Sequence, residues 1–272
     1  MAETNLPTLG TIELSRRGRL LVMTLNRPDA LNAVNLQLHD DLAEAMAFAL
    51  ADRASDVLLI TGAGRAFSAG GDVKAMKARE GAFGGNGVAL RDGYRNNIHR
   101  VVRSIYGLEV PSIAAVNGAA IGLGCDVACM TDIRIAAEGA RFGVTFLKLG
   151  LIPGDGGAWL LPRTIGMSRA CELLFTGDVV DAQTAKEWGL VSYVTPPEQL
   201  MDEAMKLAER IAQQPPHALR LAKALLKQGQ TTTYDTLMEM SAAAQAISHL
   251  TEDHMEGVNA LLEKREATFK GA

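Results

Sequence analysis

Two glycine-rich stretches, about fifty residues apart, constrain this chain more than anything else in it. The first runs Gly64-Arg65-Ala66-Phe67-Ser68-Ala69-Gly70-Gly71-Asp72-Val73-Lys74. The second runs Ala115-Val116-Asn117-Gly118-Ala119-Ala120-Ile121-Gly122-Leu123-Gly124-Cys125-Asp126. Each follows an apolar, β-branched run that reads as a buried strand, Val57 to Thr61 and Ser112 to Val116, and each leads into a helical pattern. Strand, glycine turn and helix start leave free backbone N–H groups at the turn, where the helix dipole adds positive potential. Two such turns facing one point would stabilise negative charge developing on a carbonyl oxygen.

The rest of the composition limits what such a site can serve. At 272 residues the chain can bury one large core and carry a helical appendage. A net charge of −4 argues against a broad nucleic-acid surface, although an anionic ligand needs only a few local basic residues. Cys125, Cys129 and Cys171 are odd in number and sit in apolar contexts, as free buried thiols in a reducing compartment do. No CxxC or HxxxH spacing suggests a metal site. Met1 to Leu9 lacks a charged start followed by an apolar stretch, and no apolar run approaches a membrane span. The expectation is a cytoplasmic protein with no membrane or nucleic-acid partner.

Along the chain, Thr11–Ser15 and Leu20–Leu25 flank Arg16-Arg17-Gly18-Arg19 in a hairpin pattern. Asn35 caps a helical pattern carried by Leu36, Leu38, Leu42, Ala45, Met46 and Ala49. Glu80 to Gly93 contains five glycines and reads as a flexible segment, either a lid or a surface insertion. Helix resumes from Tyr94 to Tyr106, and Asp132 to Ala136 reads as another strand. From Ser168 onward helical patterns dominate, punctuated by Pro196-Pro197 and Pro215-Pro216. This predicts a mixed α/β core over residues 1–195 and a helical region over 196–272, with no disordered linker between them.

These stretches, with Leu25-Asn26-Arg27-Pro28-Asp29-Ala30-Leu31-Asn32-Ala33, Gly150-Leu151-Ile152-Pro153-Gly154-Asp155-Gly156-Gly157, Glu187-Trp188-Gly189-Leu190-Val191 and Glu263-Lys264-Arg265, occur in the order seen in the crotonase superfamily, the enoyl-CoA hydratase/isomerase family. The chain resembles that family over nearly its whole length. The resemblance implies an α/β spiral of ββα repeats with a helical C-terminal trimerisation region, assembled as a trimer or dimer of trimers. It implies an acyl-CoA thioester as substrate and no separate cofactor, CoA entering with the substrate. It also implies an enolate stabilised by an oxyanion hole from the backbone N–H groups of Gly71 and Leu123, where leucine at 123 departs from the usual glycine. Arg27 and Lys74, and Phe269 and Lys270 near the C-terminus, match places where the family contacts CoA, the last two often from a neighbouring subunit.

The acid/base groups depart from the family's two-glutamate pattern. The first position is Asp126 and the second falls on Phe146, which cannot transfer a proton. Asp155, in the turn before Gly156-Gly157, is a further carboxylate in a neighbourhood where some relatives place a functional aspartate; a helix cap is its plainer role. The expectation is an Asp126/Asp155 pair beside an acyl pocket lined by Phe146 and Trp159 as well as Leu123. Hydration of a 2-enoyl-CoA is the leading activity. Isomerisation or thioester hydrolysis through the two aspartates, and acyl-CoA binding without catalysis, are the alternatives.

Overall fold

The chain opens with an antiparallel hairpin, β1 (Ile12–Arg17) against β2 (Leu20–Leu25), in a computed structural model that describes residues 5–80 and 83–272. β3 (Val57–Gly62) lies parallel to β2 with every residue buried. β4 (Ala66–Ser68) follows it at once, then β5 (Ser112–Val116), β6 (Ala119–Ile121), β7 (Ile133–Ala137), β8 (Arg141–Gly143), β9 (Val179–Asp181) and β10 (Tyr193–Thr195). They form two sheets, ordered β1-β2-β3-β5-β7-β10 and β4-β6-β8-β9. Three times a strand of the large sheet is followed within a few residues by a strand of the small one, and the chain then moves one strand along both sheets. That is the predicted ββα spiral.

The continuous apolar runs of β3 and β5 are explained by burial on both faces. Leu58, Ile60, Ala114 and Val116 point into the main core, while Val57, Leu59, Ile113 and Ala115 point the other way into a second cluster. The main core is closed by α1 (Leu36–Ala51), whose first turn is capped by Asn35 Oδ1 accepting from the N–H of Leu38 at 3.0 Å. α2 (Val73–Ala78) is capped by the carboxylate of Asp72.

The glycine-rich segment corrects one expectation. Gly81 lies outside the described residues, but the segment is helical from α3 (Gly87–Gly93), because Asn86 Oδ1 accepts from the N–H groups of Val88 and Ala89. A cap satisfies two orphan donors and outweighs glycine's weak helix propensity over one short helix. A π-helical stretch, Tyr94–Ile98, joins it to α4 (His99–Tyr106).

α5 (Leu123–Met130) follows the second glycine turn; α6 (Gly157–Ile165) packs on α5 and on α7 (Met167–Thr176), and α8 (Ala182–Glu187) lies against β8 and β9 of the small sheet. α9 (Leu200–Ala212) then covers the second face of the large sheet through Leu200, Ala204, Ala208 and Ala212, one small residue per turn allowing close approach. α10 (Pro216–Gln228), α11 (Tyr234–His249) and α12 (Glu252–Glu263) complete the chain. Among the described residues, no helix is long and apolar enough to cross a membrane.

Candidate active site

The small sheet brings the two glycine loops together. β4 and β6 pair in parallel with Ala66 opposite Ala119, so the chain leaving each strand turns toward the same point. Contact there is too close for a side chain on the first loop. Gly70 has φ +90°, and a Cβ on it would lie 2.5 Å from the carbonyl oxygen of Ile121 and 3.4 Å from the nitrogen of Leu123. Asn32 is the strut behind the first loop. Wholly buried, it donates Nδ2 to the carbonyls of Ala63 and Ala66, at 3.0 and 2.8 Å, and accepts from the Arg27 N–H at 2.8 Å. Gly71 is then held beside Val34, whose N–H donates to Gly70 O and whose carbonyl accepts from Asp72 N–H. Among the described residues, no hydrogen-bond acceptor is paired with the N–H of Gly71 or of Leu123, the first residue of α5.

Both residues line a largely apolar cavity of about 480 Å³, together with Lys74, Phe146 and Asp155. These five sequence-predicted residues are thus brought to one place. Tyr94 joins them from the π-helical stretch, a distortion that recurs at functional sites. Asp155 is 6% exposed, and its Oδ1 is buried with no hydrogen-bond partner among the described residues. Burial raises its pKa to about 6, against a pull in the other direction from His99. His99 does not face the cavity; its Nε2 is 2.9 Å from the carbonyl oxygen of Gly154, so it braces the turn that carries Asp155. The phenol of Tyr94 is also pushed up, by burial first and by Asp155 second.

Asp126 lies deeper. It is fully buried, does not line the cavity, and accepts the N–H of Gly157 at 3.3 Å. Burial, then the neighbouring Cys129 and Asp155, push its pKa well above the usual carboxylate range. Only one of the two aspartates therefore meets the cavity.

Trp159 is a correction. It is 42% exposed and lines a different cleft, with Arg163 stacked 3.3 Å above its ring. α6 buries Leu160 and Leu161 instead, which turns Trp159 away from Phe146. Arg27 spends its guanidinium on the carbonyl of Ala33 and shapes the early turn. Phe269 and Lys270 do not line the cavity. The Phe269 carbonyl accepts from Arg19 at 3.2 Å, just before the start of β2, whereas the glycine loop follows the far end of β3. Lys270 N–H donates to Asp253 at 2.7 Å. The cavity wall also includes Met76 from α2, Val101 and Ile105 from α4, and Leu36 and Leu42 from α1, the last two read from the sequence only as part of a helical pattern; helical spacing is the one signal that points to the α1 and α4 residues. No three His, Cys, Asp or Glu side chains cluster as metal ligands among the described residues.

Two convergent glycine loops on a ββα spiral open on an apolar cavity with one buried carboxyl group, an arrangement whose chemistry suits acyl-group enzymes. Comparison with known proteins gives the family. Residues 15–272 match the family model described as enoyl-CoA hydratase/isomerase, and the chain belongs to that family. It is 40% identical to crotonyl-CoA hydratase of Syntrophomonas wolfei, over 95% of this chain and 97% of that protein. It is 39% identical to 1,2-epoxyphenylacetyl-CoA isomerase of Escherichia coli, over 93% of this chain and 95% of that protein. The crystal structure of an enoyl-CoA hydratase from Bacillus anthracis superposes with a TM-score of 0.90 at 36% identity, covering 97% of this chain and all of that one.

Proposed function

We propose that the enzyme adds water to a 2-enoyl-CoA through a thioester enolate. The observation that carries this reading is the meeting of the unpaired Gly71 and Leu123 N–H groups on the cavity that holds Asp155. The two donors hold the thioester oxygen. The Asp155 carboxylate takes a proton from water as the water oxygen bonds to the β-carbon and the double-bond electrons move onto the thioester oxygen. The resulting enolate takes the proton back from Asp155 at the α-carbon, which restores the carboxylate. A pKa of about 6 suits a group that must accept and return one proton near neutrality. The 40% identity to a crotonyl-CoA hydratase supports the same reading.

Double-bond isomerisation is the second reading, favoured by the burial of Asp126 away from the cavity. With a single carboxylate, Asp155 removes a proton from one carbon and returns it two carbons away.

CoA enters as part of the substrate, with Lys74 at the cavity meeting its polar portion. Assembly as a trimer or dimer of trimers is supported by α11, which buries no residue, and by exposed Leu250, Leu261 and Leu262. In that assembly Phe269 and Lys270 serve a neighbouring subunit's CoA. The test is turnover of a panel of acyl-CoA thioesters in heavy water, read by mass spectrometry. Gain of water on an enoyl-CoA supports hydration. Deuterium exchange or double-bond migration without hydration supports isomerisation. Release of free CoA, or binding without turnover, rejects both.

A further inference from the structure

The cavity holds a second polar point that the proposed chemistry does not use. His39 lines it from α1, on the same stripe as Leu36 and Leu42, three residues to either side. Its Nδ1 is 3.1 Å from Asp40 Oδ1, and its Nε2 is buried with no hydrogen-bond partner among the described residues. Among the residues that line the cavity, only Asp155 shares that condition, and the chemistry accounts for Asp155.

The position of His39 follows from the helices. Tyr94 stands against the Asp155 turn, because a Cβ on Gly154 would lie 3.7 Å from its ring. The cavity continues along α4 to Ile105, eleven residues further on, which is roughly 16 Å at 1.5 Å per residue. α1 and α4 run in the same direction, since Ala49, Leu50 and Arg53 share a small cleft with Leu108, Glu109 and Val110. His39, near the start of α1, therefore faces the stretch between the Asp155 end and the Ile105 end.

A buried ring nitrogen without a partner is costly, and a water held there needs two or more polar neighbours. The adjoining stripe, Leu36 and Leu42 with Val101 opposite, supplies none. Resting on the enoyl-CoA reading above, the geometry points to His39 as a specificity-determining residue for acyl groups that carry a hydroxyl on the saturated part of the chain, beyond the reacting carbons. With a carboxylate at Nδ1, the neutral ring keeps its proton there and offers Nε2 as an acceptor. A substrate hydroxyl donates to that nitrogen.

The test compares trans-2-octenoyl-CoA with analogues carrying one hydroxyl group along the saturated chain, using the full-length enzyme. One analogue is turned over with kcat/KM about tenfold or more above the plain substrate, mostly through KM. His39→Leu abolishes that preference, so that the analogue's kcat/KM falls to that of the plain substrate on the same variant. His39→Gln, which keeps a polar group near Nε2, restores part of it. Equal kcat/KM for plain and hydroxylated substrates in the wild type, or a preference that survives His39→Leu, overturns the inference while turnover itself upholds the enoyl-CoA reading. No turnover of any of these thioesters removes both.

Discussion

Asp126 Oδ2 accepts the main-chain N–H of Gly157 at 3.3 Å, and a Cβ on residue 157 would lie 2.6 Å from Asp126 Oδ1. The carboxyl group four residues into the second glycine loop's helix is thereby locked to the first residue of α6, two residues after Asp155. The helix that follows the second glycine loop and the turn that carries Asp155 are tied at this contact.

Gly157→Ala forces a methyl group into that contact. It lowers stability by about 1–3 kcal/mol, the usual cost of overpacking, as measured by urea denaturation. The cost shrinks in an Asp126→Ala background, where the opposing carboxyl group is gone. Full additivity of the two substitutions would place the strain elsewhere.

Asp155→Asn keeps the shape of the turn and removes the proton carrier, so kcat falls roughly 10²- to 10⁴-fold with little change in KM. In the wild type, kcat/KM falls as pH drops below about 6, because the base becomes protonated. The stability effect has the opposite sign. The folded pKa is raised from 3.8 to about 6, so the contribution of Asp155 to stability is greatest below pH 4 and is lost as pH rises to 6. The difference is on the order of 3 kcal/mol. Denaturation of Asp155→Asn against pH shows a flatter profile across that window. An unchanged profile would mean that burial does not perturb Asp155.

Asp132, just before β7, is a structural anchor. Its Oδ2 accepts from the N–H and hydroxyl of Ser112, at 2.7 and 2.9 Å, and from Lys223 Nζ at 2.6 Å. Lys223 is buried, so Asp132→Ala strands a cation against the carbonyl of Val110 and costs about 3–5 kcal/mol. Asp132→Ala combined with Lys223→Met recovers most of that loss. The same loss in the double variant would show that Asp132 acts through Ser112 alone.

The long periodic elements were legible before any coordinates. β3 and β5 announce themselves by apolar runs, α1 by its cap and stripe, and the glycine turns by what must follow a buried strand. The small sheet was not. β4, β6 and β8 have three residues each, too few for a period, yet their pairing makes the two turns converge. The family resemblance nominated Asp126 by its position and Asp155 by its neighbourhood. Packing separates them, because α5 turns Asp126 into the core while the Gly154 turn leaves Asp155 at the cavity wall. Trp159 was misplaced for a related reason: which face a nine-residue helix presents depends on partners distant in sequence. The helix α3 lies inside a segment whose five glycines read as flexible, and its start is set by the single side chain of Asn86.

The central claim is that the N–H of Leu123 stabilises an enolate, and one substitution removes that atom with little else. Leu123 is the first residue of α5, the helix position that best tolerates proline, and Gly122 before it has no Cβ to clash with the ring. Leu123→Ala keeps the donor and serves as the control for the lost side chain. The measurement is kcat for both variants on the same enoyl-CoA, with circular dichroism to show that both are folded. The account predicts that Leu123→Pro is slower than Leu123→Ala by roughly 10²- to 10³-fold. Equal kcat values in two folded variants would contradict it.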